Sequence, residues 1–135
     1  MTLTFNFEKS YSPILGIIHR PVAQVFFLSR SQNKLYETWM IVDTGADYTL
    51  LPKYFAQRLD VNLNKDCKVF KTAGIGGKEK VFLLERIKVK IGNWERIIPI
   101  GFLNRDDIPP LMGRHLFFET FEVVFSKKYK VTFSI

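Results

Sequence analysis

Residues 40–52 read Met-Ile-Val-Asp-Thr-Gly-Ala-Asp-Tyr-Thr-Leu-Leu-Pro, and this stretch decides the fold. An apolar, strand-like run ends in Asp43-Thr44-Gly45, and a second acid, Asp47, follows before the apolar pair Leu50-Leu51. Because Asp and Gly suit turns, the tripeptide alone is typical of an Asx turn after a strand. Its apolar flanks, however, predict that Asp43 lies in a loop embedded in the core, where a carboxylate is costly unless it is satisfied.

Two such carboxylates facing each other would explain an aspartate in the core. Like charges ~3 Å apart cannot both ionise, so the pair would share one proton. The ionised member takes a proton from a water while the protonated member hydrogen-bonds a substrate carbonyl, which is general acid–base hydrolysis of an amide. Since Asp-Thr-Gly occurs once and Asp-Ser-Gly is absent from the sequence, the partner carboxylate must come from another copy. The sequence therefore predicts a two-fold homodimer with one active site on its axis.

Glycines mark two places where a ligand backbone can approach the chain closely. Gly45 removes the Cβ that would block a substrate beside Asp43, and the hydroxyl of Thr44 is expected to hold the loop. Residues 71–78, Lys-Thr-Ala-Gly-Ile-Gly-Gly-Lys, lack the spacing of a phosphate-binding loop, and no helical pattern follows them. We expect a mobile hairpin tip here with Ile75 as its apolar contact, although an ordinary glycine-rich hairpin fits the same residues.

From Pro21 onward, short apolar or alternating runs recur with turn residues between them, which is typical of an all-β barrel or sandwich. Helix is a minor component. Pro52 is expected to begin a short helix through Leu59, because its missing N–H would be unpaired there anyway, and residues 114–120 have the length for two helical turns. Residues 60–66 are interpreted as a polar connection. The predicted strands are 22–28, 35–42, 86–91, 94–102, 121–125 and 129–133, with Gly92-Asn93 as a hairpin turn.

Length and composition exclude several classes of protein. With 135 residues, 47% of them hydrophobic, and one cysteine, we expect a single globular domain over residues 1–135 without an internal disulfide. No apolar run approaches the ~20 residues of a membrane-spanning helix, and residues 1–9 alternate where a signal peptide would be continuously apolar. We therefore expect no membrane association and a cytoplasmic protein, which the lone Cys67 also favours.

The net charge of +7 leaves an acidic partner open. The basic residues are scattered along predicted strands, which is typical of solvated strand faces and not of a basic arm. We therefore expect no nucleic-acid partner. The only other histidine besides His115 is His19, so we expect no metal site. No other pattern in the sequence indicates a cofactor. The scattered basic residues include Lys88, Lys90, Arg96, Lys127, Lys128 and Lys130.

Three motifs follow one another along the chain: Asp43-Thr44-Gly45-Ala46-Asp47, the tip Gly74-Ile75-Gly76-Gly77, and Leu111-Met112-Gly113-Arg114. Arg20-Pro21 precedes the first of them. Together they resemble the signatures of the retropepsins, the retroviral-type aspartic proteases. The resemblance implies a small closed β-barrel with one or two short helices that is active only as a homodimer. It also implies an aspartic endopeptidase that cleaves extended peptides with apolar residues beside the scissile bond.

The resemblance assigns roles residue by residue. Asp43, Thr44 and Gly45 would form the catalytic loop, with Asp43 as the catalytic aspartate and Thr44 interlocked with its mate across the dimer. Ala46 and Asp47, together with Gly45, would bind the substrate backbone, and Gly74, Ile75, Gly76 and Gly77 would form a flap over the cleft. Gly113 and Arg114 would support the site, with Arg114 paired to Asp47 and the other subunit's Arg20 as a second partner. A buried carboxylate beside a bidentate guanidinium is sound chemistry in its own right.

Parts of the sequence depart from the family pattern. His115 follows Gly113-Arg114 where the family usually has Asp or Asn, so local hydrogen bonding is expected to differ there. Residues 1–20 form an N-terminal extension without a viral counterpart. We expect a free-standing cellular or microbial protein, because the chain starts at its own Met and ends as a complete domain. Residues 129–135, together with residues 3–7, would have to supply the dimer sheet that viral enzymes build from interleaved termini.

Three hypotheses follow. The leading one is a homodimeric aspartic endopeptidase with an Asp43 dyad, acting on a peptide or protein substrate. The alternative is a dimeric module of the same fold that holds a peptide or partner without turnover; the intact Asp43-Thr44-Gly45 argues against it, because a pure binder has no need of two adjacent carboxylates. A basic β-barrel that binds nucleic acid would leave the Asp-Thr-Gly loop unexplained.

Overall fold

The structure is a computed structural model that describes residues 1–74 and 77–135. Short strands dominate it, as the alternating sequence predicts. The described helices are α1 (Phe55–Arg58) and α2 (Leu63–Asp66), and a 3₁₀ turn spans Phe118–Thr120. The strands are β1 (Thr2–Asn6), β2 (Glu8–Ser12), β3 (Gly16–Arg20), β4 (Val22–Leu28), β5 (Leu35–Val42), β6 (Thr49–Pro52), β7 (Lys68–Gly74), β8 (Gly77–Ile91), β9 (Trp94–Leu103), β10 (Leu111–Met112), β11 (Glu122–Ser126) and β12 (Lys130–Ser134).

Seven of the described strands form one mixed sheet in the order β4-β5-β10-β6-β9-β8-β7. A further antiparallel pairing, with Phe26 opposite Lys90 and Phe27 opposite Val89, joins β8 back to β4. The short β10 lies between β5 and β6, parallel to the first and antiparallel to the second. This placement brings the residues after β10 next to the end of β5, where Asp43 begins its loop.

The strands that lead to Asp43 have the bounds that the sequence predicts, Val22–Leu28 and Leu35–Val42. They pair antiparallel along their whole length, and buried positions alternate from Ala23 to Leu28 in β4 and from Thr38 to Val42 in β5 as the pattern requires. The Gly92-Asn93 turn is also confirmed: Ile91 lies opposite Trp94, and Gly92 has a positive φ of +56°.

The helix expected from Pro52 to Leu59 starts later in the structure. Pro52 is the last residue of β6, and α1 covers only Phe55–Arg58. The Tyr54 N–H at its start donates to Oδ1 of Asp106 at 2.8 Å. Because Asp106 is remote in sequence, the local pattern around Pro52 does not show where the helix begins.

Two further segments differ from expectation. The polar connection at residues 60–66 contains α2, because the Asn62 side chain caps that helix by accepting two N–H groups of its first turn. Conversely, the helix predicted over residues 114–120 is reduced to Phe118–Thr120. Leu116 has a φ of +58°, a left-handed conformation through which a right-handed helix does not continue.

The chain termini form a second, three-stranded sheet in the order β1-β12-β11. Leu3 lies opposite Phe133, and Phe5 lies opposite Val131. The two segments expected to supply a dimer sheet, residues 3–7 and 129–135, thus pair with each other inside one chain. Both alternate apolar side chains in step, so pairing in cis turns their apolar faces toward the same core.

One hydrophobic core joins the two sheets. Phe27 and Phe102 of the large sheet and Phe133 of β12 are all fully buried members of it. Trp94 and Phe121 bridge the sheets: their ring centroids lie 4.8 Å apart, and Phe121 packs edge-on against Phe133 at 5.5 Å. Each buried phenylalanine contributes about 1.5–3 kcal/mol by leaving water, so the terminal sheet is integral to the protomer. None of the helices in the described residues is long and apolar enough to cross a membrane.

Candidate active site

Asp43 directly follows the last residue of β5. Its N–H donates to the Met112 carbonyl at 3.1 Å, and the preceding Val42 N–H donates to the Pro21 carbonyl at 2.9 Å. The end of β5 is therefore held from two sides, by β10 and by the residue before β4. Both partners are distant in sequence, so the position of Asp43 depends on the folded chain and not on the local motif alone.

The Asp43 side chain folds over its own loop. Its Oδ1 accepts the Gly45 N–H at 2.9 Å, and its carbonyl accepts the Ala46 N–H at 3.2 Å. A Cβ on residue 45 would lie 3.3 Å from that same Oδ1, so glycine allows the close approach. Among the described residues, Oδ2 accepts no hydrogen bond from its own chain. The two interpretations of Asp43-Thr44-Gly45, an Asx turn and a catalytic loop, are therefore compatible, because the turn orients the Asp43 carboxylate.

The loop lies at the surface of the protomer, which corrects the expectation that it is embedded in the core. Thr44, Gly45 and Asp47 are exposed, while Asp43 and Ala46 are half-buried. The apolar flanks belong to β5 and β6, whose buried side chains point inward, whereas the loop connects the strands outside the core. Within the described residues, the Thr44 hydroxyl makes no hydrogen bond in its own chain, so it does not hold the loop as expected.

Arg114 ties the loop together instead. Its Nη1 donates to the Thr44 carbonyl and its Nη2 to Oδ1 of Asp47, both at 2.5 Å. The guanidinium therefore contacts Asp47 but is not bidentate on it. Nor is the carboxylate buried in the protomer: 82% of the Asp47 side chain and 42% of the Arg114 side chain are exposed. Exposed pairs are worth about 0–1 kcal/mol, so Arg114 acts here mainly by fixing the loop geometry.

Thr49, which the sequence analysis does not single out, anchors the other side of the loop. Its buried hydroxyl accepts the Gly113 N–H at 3.1 Å. A Cβ on Gly113 would overlap the carbonyl group of Tyr48, so only glycine lets these two backbones pass in contact. The signal was a threonine within the apolar run of a buried strand, where its hydroxyl must find a partner.

Backbone hydrogen bonds complete the contact between the loop and the segment after β10. The Ala46 and Asp47 carbonyls accept the N–H groups of Arg114 and His115 at 3.0 and 2.9 Å. His115 therefore serves the site through its main chain, which any residue except proline can do. Its Nδ1 lies 3.9 Å from Oε1 of Glu119. The two backbone hydrogen bonds therefore do not depend on the side chain at position 115.

An apolar pocket of about 360 Å³ opens beside the loop. Tyr48 and Phe70 form one wall, with ring centroids 6.0 Å apart, which joins the loop to β7. Burial raises the pKa of the Tyr48 hydroxyl above its usual value; a side-chain hydrogen bond with Thr72 opposes this shift, and the Asp47 carboxylate adds to it. Tyr48 is thus a neutral, amphipathic wall. The pocket is lined by Asp47, Tyr48, Phe70, Leu83, Pro99 and His115.

Two residues of the glycine-rich segment, Gly74 and Gly77, lie at the end of the described β7–β8 hairpin. The last described pair of the hairpin is Gly74 opposite Gly77. Gly77 has a φ of +107°, which residues other than glycine rarely adopt. Ile75 and Gly76 lie outside the described residues, so the predicted contact of Ile75 stays a prediction. Phe70, the third residue of β7, packs against Tyr48, so the hairpin extends from beside the Asp43 loop.

Arg20 is not brought to the site within one chain. It is the last residue of β3, lies opposite Glu8, and is exposed. Among residues 1–74 and 77–135 it forms no ion pair, and its role toward the other subunit's Asp47 stays a prediction. In the same residues, no group of three or more His, Cys, Asp or Glu side chains is placed to hold a metal ion.

The β-rich fold and the Asp-Thr-Gly turn fit an aspartyl protease. Comparison with known families gives the same result: residues 31–116 match the family described as Aspartyl protease. The chain therefore belongs to the retropepsin-like aspartyl proteases. The matched range contains Asp43, the glycine-rich hairpin and Arg114, and it leaves out residues 1–30 and the closing strands β11 and β12. A search of curated proteins found no match.

Proposed function

We propose that the chain is an aspartic endopeptidase that works as a two-fold homodimer, with the two Asp43 carboxylates facing each other across the axis. One observation carries the proposal: Asp43 is fixed at the end of β5, its Oδ1 is oriented by the Gly45 N–H, and its loop is exposed. A second copy placed against this loop would bring two such carboxylates together. The exposed Thr44 hydroxyls would then be free to contact each other.

The chemistry follows from one shared proton. Two carboxylates ~3 Å apart cannot both be charged, so one is ionised and the other protonated. The ionised Asp43 takes a proton from a water, whose oxygen attacks the scissile carbonyl carbon, while the protonated Asp43 gives its proton to the carbonyl oxygen. Collapse of the tetrahedral intermediate breaks the C–N bond as the amine takes a proton from the dyad and one hydroxyl of the intermediate returns a proton to it, which leaves an acid, an amine and a dyad that again shares one proton. Activity should therefore rise and fall with pH, with both limbs belonging to the pair.

The surroundings of the loop support an extended, apolar-flanked peptide as substrate. The pocket beside Tyr48 and Phe70 is apolar and large enough for one side chain. The backbone of Gly45, Ala46 and Asp47 is exposed or half-buried, so it can pair with a substrate in strand fashion. The β7–β8 hairpin, whose last described pair is Gly74 and Gly77, would act as the flap.

The proposal also includes a closed barrel, a single domain and a cytoplasmic location. The pairing of β8 back to β4 supports a closed barrel, and the shared core supports one domain over residues 1–135. The half-buried thiol of Cys67, the single cysteine, fits a cytoplasmic protein.

The test is cleavage of a diverse peptide library between about pH 4 and 7, the range that a shared-proton pair makes plausible. Wild type is compared with Asp43→Asn and with Asp60→Asn as a matched control. Asp60 is in the left-handed region with a φ of +56°, which asparagine tolerates well. We expect cleavage by wild type and Asp60→Asn and none by Asp43→Asn. Folded dimers of wild type that bind peptides and never cut them would favour the binding module instead.

A further inference from the structure

The hairpin of β2 and β3, residues 8–20, stands apart from both larger sheets, and we call it the arm. Its strands pair with each other from Glu8 opposite Arg20 to Ser12 opposite Gly16. Among the described residues, neither strand pairs with another strand. A two-stranded hairpin is at best marginally stable alone in water. The arm therefore calls for a surface on which to pack.

The arm carries large apolar side chains that are open to solvent. Ile14 and Leu15 at its tip are 90% and 74% exposed, and the exposed Tyr11 lies directly opposite the exposed Ile17 on one face. The Ser12 hydroxyl accepts the N–H groups of Ile14 and Leu15 at 3.2 and 3.1 Å, so the tip has a defined shape. Four large apolar side chains exposed on one short hairpin are typical of an interaction surface.

The base of the arm is fixed beside the Asp43 loop. Pro21 directly follows the arm, and its carbonyl accepts the N–H of Val42, the residue before Asp43. The His19 ring stacks on Tyr129 at 3.7 Å, which holds the base of the arm against the terminal sheet. The arm thus leaves the protomer at the same end of β5 as the candidate catalytic carboxylate.

We propose that the arm docks on a second copy of this chain and stabilises the homodimer, an inference that rests on the proposed Asp43 dyad. The dyad requires the second copy to lie against the Asp43 loop, which is where the arm begins. The partner's β12 cannot accept the arm, because β1 and β11 occupy both of its edges. The outer edges of β1 and β11 are both unpaired among the described residues, but β1 exposes the polar Thr2, Thr4 and Asn6, whereas β11 exposes Val124 and Phe125.

The partner's β11 is therefore the docking surface assigned to the arm. An unpaired strand edge with exposed apolar side chains is a ready site for an added strand. Because the axis is two-fold, the exchange is reciprocal, and each substitution in the arm or in β11 acts twice in the dimer.

Analytical ultracentrifugation of the full chain over a range of concentrations tests this directly. The arm variant is Ile14→Ser/Leu15→Ser, and the acceptor variant is Val124→Ser/Phe125→Ser. Leu35→Ser is the matched control, since Leu35 is an exposed aliphatic residue at the opposite end of β5 from Asp43. We expect the arm and acceptor variants each to raise the dimer dissociation constant by roughly 100-fold or more, and Leu35→Ser to leave it unchanged. Circular dichroism checks that each variant keeps its protomer fold.

Peptide cleavage measured on the same samples separates the two proposals. Loss of dimer and of activity in the arm variant, with both recovered at high protein concentration, supports the arm. If the wild type dimerises and the arm variant has the same dissociation constant, the proposed docking of the arm is wrong, while the Asp43 dyad is unaffected. A dimer that depends on the arm yet never cleaves a peptide overturns the proposed function alone. A chain that is monomeric at every concentration overturns the arm, and cleavage by that monomer would overturn the dyad as well.

Discussion

Thr49→Val tests whether the loop that carries Asp43 is held by one buried hydrogen bond. The Thr49 side chain is fully buried, and its hydroxyl accepts the Gly113 N–H at 3.1 Å. Valine keeps the shape and leaves this N–H buried without a partner, which costs about 1–3 kcal/mol. Urea unfolding at one fixed protein concentration, which removes the mass-action contribution of a dimer, should show a loss of that size. We also expect kcat/KM to fall, because the Gly113-Arg114 segment would shift.

The matched control is Thr38→Val, at the other threonine that the structure buries, with 8% of its surface exposed. Its hydroxyl makes no hydrogen bond to the described residues, so the change in the free energy of unfolding should stay within about 0.5 kcal/mol. The reasoning is refuted if Thr49→Val costs no more than Thr38→Val.

Three further predictions use other contacts of the site and its surroundings. Arg114→Ala should lower the free energy of unfolding in urea by only about 0.5–1.5 kcal/mol, since its ion pair with Asp47 is exposed. Its kcat/KM should nevertheless fall well below that of the control Arg86→Ala, which changes an exposed arginine. Equal kcat/KM values for the two variants would show that Arg114 does not fix the loop geometry. Gly113→Ala should lower the free energy of unfolding by about 3 kcal/mol or more, because the new Cβ overlaps the Tyr48 carbonyl. The control Gly16→Ala, which has open space around it, should lower it by about 1 kcal/mol. Similar losses of stability in the two variants would contradict the close backbone contact at Gly113. Burial raises the pKa of the Cys67 thiol from 9.0 to about 11, so iodoacetamide at pH 8 should react about a hundredfold more slowly with the folded chain than with the unfolded one. The free energy of unfolding should also fall as the pH rises from about 9 to 11, because only the unfolded thiol ionises in that range. Equal alkylation rates for the folded and unfolded chain would contradict a buried thiol.

Local patterns predicted the parts of the structure that local physics determines. The bounds of β4 and β5 follow from alternating apolar residues bounded by polar ones, and the strand that delivers Asp43 was therefore predictable. The Gly92-Asn93 turn follows from the conformational freedom of glycine. The contact between Arg114 and Asp47 came from the family resemblance, and its geometry, with the guanidinium shared between Asp47 and the Thr44 carbonyl, did not.

Partners that are distant in sequence account for what the patterns missed. The start of α1 depends on Asp106, and the anchoring of the loop depends on Thr49 meeting Gly113. The surface position of the Asp43 loop could not be read from its apolar flanks, because those flanks describe the strands and not the loop between them. The arm was missed because serines and a proline interrupt its apolar residues, although Ser12 and Gly16 are turn signals that indicate it.

The central claim is that one active site needs an Asp43 from each of two copies, and subunit mixing tests it most directly. A fixed amount of wild type is equilibrated with increasing Asp43→Asn chain, and cleavage of a peptide substrate is measured. If mixed dimers form at random and are inactive, a ninefold excess of the variant leaves about one tenth of the starting activity. Asp60→Asn in the same excess should not reduce cleavage. Activity that stays constant while Asp43→Asn is added, with mixed dimers shown to form, would mean that a single Asp43 suffices and would contradict the account.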